Sequence, residues 1–180
     1  MAVRWGDLQQ QAPRLARLCH ERVIDPGVLL AVTIRLDGSP RLSPIEPLIL
    51  DGDLWLSMMW QSRKALDLFR DDRLLVHSII ADRDGSQGEV KIRGTAVPVN
   101  EPSVRERYCA AVAVLGWQPE EPSFHLFRVD MDDVTVIRYR ENGDQHLTRW
   151  PAGVEFVRRE TSPTSVGPPE IVVDLLGPGS

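Results

Sequence analysis

Two tight-turn signals, Asp37-Gly38-Ser39 and Asp51-Gly52-Asp53, each separate β-like runs, so this part of the chain reads as an antiparallel meander. The run before the first turn, Val28 to Ile34, is rich in β-branched residues and is about one strand long. The run between the turns, Arg41 to Leu50, contains Pro44 and Pro47. Each proline removes a ladder donor, which predicts an edge position or a bulge. The third run is Leu54 to Met58. Ahead of the meander, Asp7 to Val23 carries an apolar stripe of Leu8, Ala12, Leu15, Leu18 and Cys19, with Asp7 available as a cap. That predicts a helix, made irregular at its start by Pro13 and closed by Pro26-Gly27.

Ser62 to Arg70 reads as a short helix with Ala65, Leu66 and Phe69 on one face. Strands are predicted at Arg73–Ala81 and, after the polar loop 82–88, at Glu89–Val99. A helix opened by Pro102 runs to Leu115. One or two strands follow over Ser123–Tyr139, and a last hairpin turns around Pro151-Ala152-Gly153. Strands outnumber helices without regular βαβ alternation, so the class is α+β with a mainly antiparallel sheet. No GxGxxG or GxxxxGK[ST] motif is present. One domain is expected over residues 1–160. A Ser/Pro/Gly-rich tail is expected over 161–180, holding an apolar island from Glu170 to Leu176.

The chain has 180 residues, enough for one domain with a core. Lys and Arg number 21 against 26 Asp and Glu, a net charge of -5, so bulk attraction to nucleic acid or anionic lipid is excluded. No apolar run approaches the roughly 20 residues of a membrane span, and no signal peptide is evident, which predicts a cytoplasmic protein. Cys19 and Cys109 stand far apart and read as free thiols. The four histidines are scattered, without zinc-type spacing, so no metal site is expected.

The helix starting at Ser62 is the most informative stretch, because its charges oppose the helix dipole. Arg63 and Lys64 stand at the positive N-terminal end and Asp71 and Asp72 at the negative end. Each such placement costs about 0.3–1 kcal/mol at an exposed site. An anion docked at the N-terminus would reverse the first half of that penalty, drawing together backbone N–H groups, the Ser62 hydroxyl, Arg63 and Lys64. A solvated helix with uninformative charges is the plainer alternative.

Several blocks resemble the pyridoxamine 5′-phosphate oxidase-like family of flavin and deazaflavin split β-barrels. They are Ser39-Pro40-Arg41-Leu42-Ser43-Pro44-Ile45-Glu46-Pro47, Asp51 to Met59, Ser62-Arg63-Lys64-Ala65 through Arg73, Glu89 to Ala96, and Phe124 to Val129. The likeness runs from about Trp5 to Arg159 and is greatest for actinobacterial members with an SRKA-type helix start. It implies a six-stranded split barrel with flanking helices, forming a homodimer with cofactors in the grooves between subunits. It further implies that Arg41 and Ser43 run beside the flavin, that Leu56 and Ser57 approach its ring and ribityl chain, and that Arg63 and Lys64 hold its phosphate. Glu89 would face the ring where the oxidases carry Gln, with Lys91 nearby. The sequence departs from the oxidases at Glu89 and at Glu46, where they have a basic residue. It also lacks their C-terminal Arg/His pattern, because Trp150 is followed by Pro151-Ala152.

The expected function is hydride transfer between FMN, or the deazaflavin F420, and a small organic substrate. No Ser-His-Asp or Cys-His arrangement suggests a protein nucleophile. A carrier of flavin, F420 or haem without turnover is one alternative. Cofactor-free chemistry is another, with Glu46 and Glu89 as acid and base. His77, on an apolar strand, is the third catalytic candidate, though packing explains it equally. His125 could ligate haem, and Trp60, Trp117 and Trp150 could wall an aromatic cofactor. Met58 and Met59 are expected in the core or groove.

Overall fold

A computed structural model describes residues 3–117, 119 and 123–172. The chain opens with α1 (Trp5–Gln11), α2 (Pro13–Cys19) and a π-helical turn at His20–Ile24. The meander follows as β1 (Leu29–Ile34), β2 (Pro40–Ile45), β3 (Pro47–Leu50) and β4 (Asp53–Met59). Then come α3 (Arg63–Arg70), β5 (Arg73–His77), β6 (Glu89–Pro98) and α4 (Pro102–Val114). The remainder is β7 (Phe124–Tyr139), β8 (Gln145–Trp150), β9 (Val154–Ser162) and β10 (Ser165–Ile171).

The expected single strand from Arg41 to Leu50 is two strands. Its first half pairs with β1, from Leu29 opposite Ile45 to Ile34 opposite Pro40. Its second half pairs with β4, from Pro47 opposite Leu56 to Leu50 opposite Asp53. Glu46 is the hinge between them. A proline on either side cannot supply a ladder donor, so the chain leaves one neighbour and joins another here. This bend closes the ring, because β1 continues through β5 and β6 to β7, and β7 pairs with β4. The result is the expected α+β fold, an antiparallel barrel with flanking helices, six-stranded when β2 and β3 count as one bent strand.

β7 is 16 residues long and serves two sheets. Phe124–Val129 pairs with β4, and Val134–Tyr139 pairs with β8, from which β9 and β10 extend outward. The composition change at Thr161 therefore does not end the sheet. Pro168 and Pro169 sit in β10, the outermost strand, at an irregularity of its pairing with β9 between Val166 and Pro169, the two settings in which a strand tolerates proline. Of the apolar island expected from Glu170, Glu170 and Ile171 belong to β10; Val173–Leu176 and Gly177–Ser180 lie outside the described residues.

The N-terminal helix also differs from its expectation. Pro13 is the first residue of α2, so the predicted helix from Asp7 to Val23 is split at Ala12. Asp7 does not cap α1. It stands in the first turn, where its carboxylate accepts the Arg4 N–H at 2.7 Å. Trp5, Leu8, Leu15 and Cys19 are buried against Leu29, Leu54, Leu56 and Phe127 of the barrel interior. Burial pushes the Cys19 thiol pKa well up, and neither Cys19 nor Cys109, which is half-buried, is in a disulfide among the described residues. A second core forms outside the barrel, where Tyr108 and Val112 of α4 cover Trp55, Phe124 and Leu126.

A bulge interrupts the β6–β7 pairing at Arg93/Gly94. A Cβ on Gly94 would lie 2.1 Å from the Asp130 carbonyl oxygen, with no flexible side chain to yield. Gly94→Ala is expected to cost about 1–3 kcal/mol as an overpacking defect. Urea unfolding should show a lower midpoint at an unchanged m-value. An unchanged midpoint would contradict the assigned close approach.

Candidate functional site

The bend at Glu46 and the start of α3 face one another across a groove of about 650 Å³. Pro44 and Glu46 line one side, Ser57 and Met59 of β4 the floor, and Lys64 and Phe124 the rest. Strand alternation puts Ser57 on the outer face of the barrel with Trp55, the face that Tyr108 of α4 covers. Trp117 and Val28 complete the walls. Val28 carried no signal as a groove residue in the sequence, since contact through the strand ends has no local pattern.

Ser62 is the residue before α3, with extended backbone, yet its side chain makes no capping bond. Its Oγ is buried and has no hydrogen-bond partner. Arg63 is exposed and makes no hydrogen bond or ion pair among the described residues. Lys64 reaches across the groove, donating from Nζ to the Pro44 carbonyl at 2.9 Å. Burial lowers the Lys64 pKa, and the Glu46 carboxylate acts in the opposite sense.

The predicted reversal of charge holds at this end of α3 only. Arg70 occupies the last turn, in favour of the dipole, while Asp71 is the C-cap. The Asp71 carboxylate is drawn to Arg73 at 2.6 and 2.8 Å, and this hydrogen bonding brings its pKa down to about 2. Asp72 lies beyond the helix, and its carbonyl accepts the Ala96 N–H.

Arg41 does not turn to the groove. Its Nε donates to Asp67 Oδ2 at 2.6 Å, and the Thr33 hydroxyl donates to the same oxygen at 2.9 Å. Asp67 is buried in mid-helix; Arg70 stands 3.5 Å from its other oxygen. Burial pushes the Asp67 pKa up, but the bonds from Arg41 and Thr33 outweigh it and the net shift is downward. The interaction ties α3 to β1 and β2. Asp67 was missed in the sequence because only the ends of this helix were weighed for charge. Ser43 is half-buried on the same face of β2 as Arg41, and the Leu56 side chain lies wholly in the barrel core.

Glu89, Lys91 and His77 form a separate cluster. His77 Nε2 is 3.1 Å from Glu89 Oε2, Lys91 Nζ is 2.9 Å from Oε1, and the Tyr139 hydroxyl donates to Oε1 at 3.2 Å. Burial raises the Glu89 pKa, and the Lys91 bond and charge more than offset it, leaving it lowered. His77 lies opposite Leu30, which lies opposite Pro44, so two strand spacings, about 10 Å, separate this cluster from the groove wall. Within one chain Glu46 and Glu89 are therefore about two strand spacings apart. Trp150 is buried in the core and Met58 lies inside the barrel. Trp60 stacks on His125, with ring centroids 4.5 Å apart. Among the described residues no cluster of three or more His, Cys, Asp or Glu could hold a metal, and no helix is long and apolar enough to cross a membrane.

No protein-family model matches the chain, and no curated protein matches it. Solved structures do. A candidate pyridoxamine 5′-phosphate oxidase from Listeria innocua is 14% identical with a TM-score of 0.57, covering 69% of this chain and 95% of its own. A haem-binding protein from Mycobacterium smegmatis is 18% identical with a TM-score of 0.56, covering 73% and 57%. An F420 reductase is 16% identical with a TM-score of 0.50, covering 64% and 94%. The chain thus has the split-barrel fold of pyridoxamine 5′-phosphate oxidase-like proteins. At these identities the likeness defines the fold.

Asp67→Ala removes the shared acceptor of Arg41 and Thr33, with an expected loss of about 1.5–3 kcal/mol at pH 7. Because the folded-state pKa of Asp67 is depressed, its contribution is complete above the unfolded value of about 3.9 and fades as pH falls through the folded value. Urea titrations of the two proteins should therefore converge toward acid pH. A gap that stays constant down to pH 2 would contradict the assignment.

Proposed function

We propose that this chain is a flavin-type redox protein. It binds FMN or the deazaflavin F420 by its phosphate at the start of α3 and moves a hydride to or from a small organic substrate. It works as a homodimer in the cytoplasm. The observation that carries the reading is the partnerless Ser62 Oγ beside two cations, Arg63 exposed and Lys64 lining the groove. A phosphate oxygen satisfies such a hydroxyl, and the first N–H groups of α3 add donors of the same kind.

The residues present fit a phosphorylated ring compound. Arg63 and Lys64 would offset its charge, while Ser57 and Met59 of β4 form the groove floor. When bound, the ring supplies the hydride chemistry; the chain supplies position and electrostatics. An anion drawing on Lys64 also favours its charged form, countering the burial that lowers its pKa. Glu46 carries negative charge at the same groove and limits how much anion the site tolerates. Arg41, committed to Asp67, supports α3 from below. The F420 reductase and the haem-binding protein among the structural neighbours favour a cofactor-binding barrel over cofactor-free chemistry.

The absorbance spectrum of the protein as purified, then after addition of FMN or F420, separates the readings. The paired visible bands of a bound flavin, or the single band of F420, are expected. A Soret band, or refusal of both cofactors, would contradict the proposal. Replacing Arg63 and Lys64 together by Ala should weaken binding of the accepted cofactor by about 1.5–3 kcal/mol for each charge-assisted bond lost, measured by fluorescence titration. Unchanged affinity would remove the phosphate site.

A further inference from the structure

α3 begins after a tight turn whose shape is held from outside. The Ser62 N–H donates to the Met59 carbonyl at 3.0 Å, and Gln61, the third residue of the turn, has φ +58°. That left-handed conformation suits Gly or Asn, and Gln adopts it at some cost. The Gln61 N–H is turned away from the helix and donates to Nε2 of His125, at 3.2 Å. A backbone N–H can only donate, so Nε2 presents its lone pair and the imidazole is neutral, with its proton on Nδ1.

His125 is well placed to act as such an acceptor. It is only 8% exposed, stacks on Trp60 within the same turn, and meets the edge of Phe69 from α3 at a centroid distance of 5.0 Å. The charged groups near it lie on α4. Arg105 acts on it electrostatically, and Glu106 and Cys109 line a cavity of about 700 Å³ with it. The turn and α3 present aromatic rings to it. Burial first, and Arg105 second, favour the neutral ring.

We propose that His125 is a positioning residue for the anion site. Its neutral imidazole locks the Met59–Ser62 turn and so aims the first N–H groups of α3, and protonation at Nε2 releases them. The inference rests on the phosphate reading given above. It adds a pH-dependent latch that touches neither cofactor nor substrate.

Amide hydrogen exchange at Gln61 and Ser62, corrected for intrinsic rates, reads the latch without any cofactor. His125→Phe keeps the ring stack but cannot accept a bond, whereas His125→Gln offers an oxygen near the Nε2 position and cannot titrate. His125→Phe should lose protection at Gln61 by about five- to tenfold, one hydrogen bond's worth. The wild type should lose it only as pH falls below the ordinary histidine range, and His125→Gln should keep it throughout. FMN and riboflavin then test the coupling. His125→Phe should weaken FMN several-fold and leave riboflavin, which has no phosphate, unchanged. Wild-type protection in His125→Phe, or the wild-type pH dependence in His125→Gln, overturns the latch. Equal loss of FMN and riboflavin in His125→Phe assigns His125 to packing and overturns it as well. Failure of the Arg63/Lys64 double replacement to weaken FMN would instead remove the phosphate site.

Discussion

One stretch of chain, Pro40 to Leu50, must pair with β1 at its start and with β4 at its end, and it can do both only by bending at Glu46. Without the bend the sheet is open; with it, six strands make a ring. The same bend decides where the groove lies. It turns the Pro44 carbonyl toward Lys64 and leaves Glu46 exposed at the rim. Pro44 and Pro47 thus shape the site without contributing any chemistry of their own. Their part is to forbid ladder bonds at the point where the strand changes partners.

α3 is fixed at both ends by different physics. Toward its C-terminus, buried Asp67 gathers Arg41, Thr33 and Arg70 into one charge-assisted network joining helix and barrel. At its N-terminus the polar groups are less fully matched: a buried hydroxyl without a partner, an uncommitted guanidinium, and a partly desolvated ammonium whose printed hydrogen bond goes to a backbone carbonyl. A protein tolerates such an end when something else completes it. That contrast within eight residues is why the start of α3, rather than the fully compensated Glu89–His77–Lys91–Tyr139 cluster, is the anion site in this account.

Much of the fold was legible because turn residues and β-branched runs are local signals. The Asp-Gly turns marked the meander, and Pro102 marked α4. The errors have local causes too. Pro13 began a new helix instead of roughening an old one. The proline-rich run ending at Ile171 found an edge position that composition does not reveal. At the site, the cations opening α3 could be read directly, but their partners could not. Whether Arg41 turns to the groove or to Asp67 depends on which face of β2 meets α3. The pairing of Gln61 with His125 joins residues 64 positions apart, and no spacing rule anticipates that.

The central claim is that α3 meets the phosphate of a bound ring compound at its N-terminus. Phosphorus NMR of FMN added to the protein addresses it directly, because the second ionisation of a phosphate group, normally near pH 6, reports the charge around it. Beside Arg63, Lys64 and the N–H groups of α3, the bound dianion should persist to lower pH than in free FMN, and the Arg63/Lys64 double replacement should abolish the difference. A bound flavin whose phosphate titrates as it does in water would contradict the account.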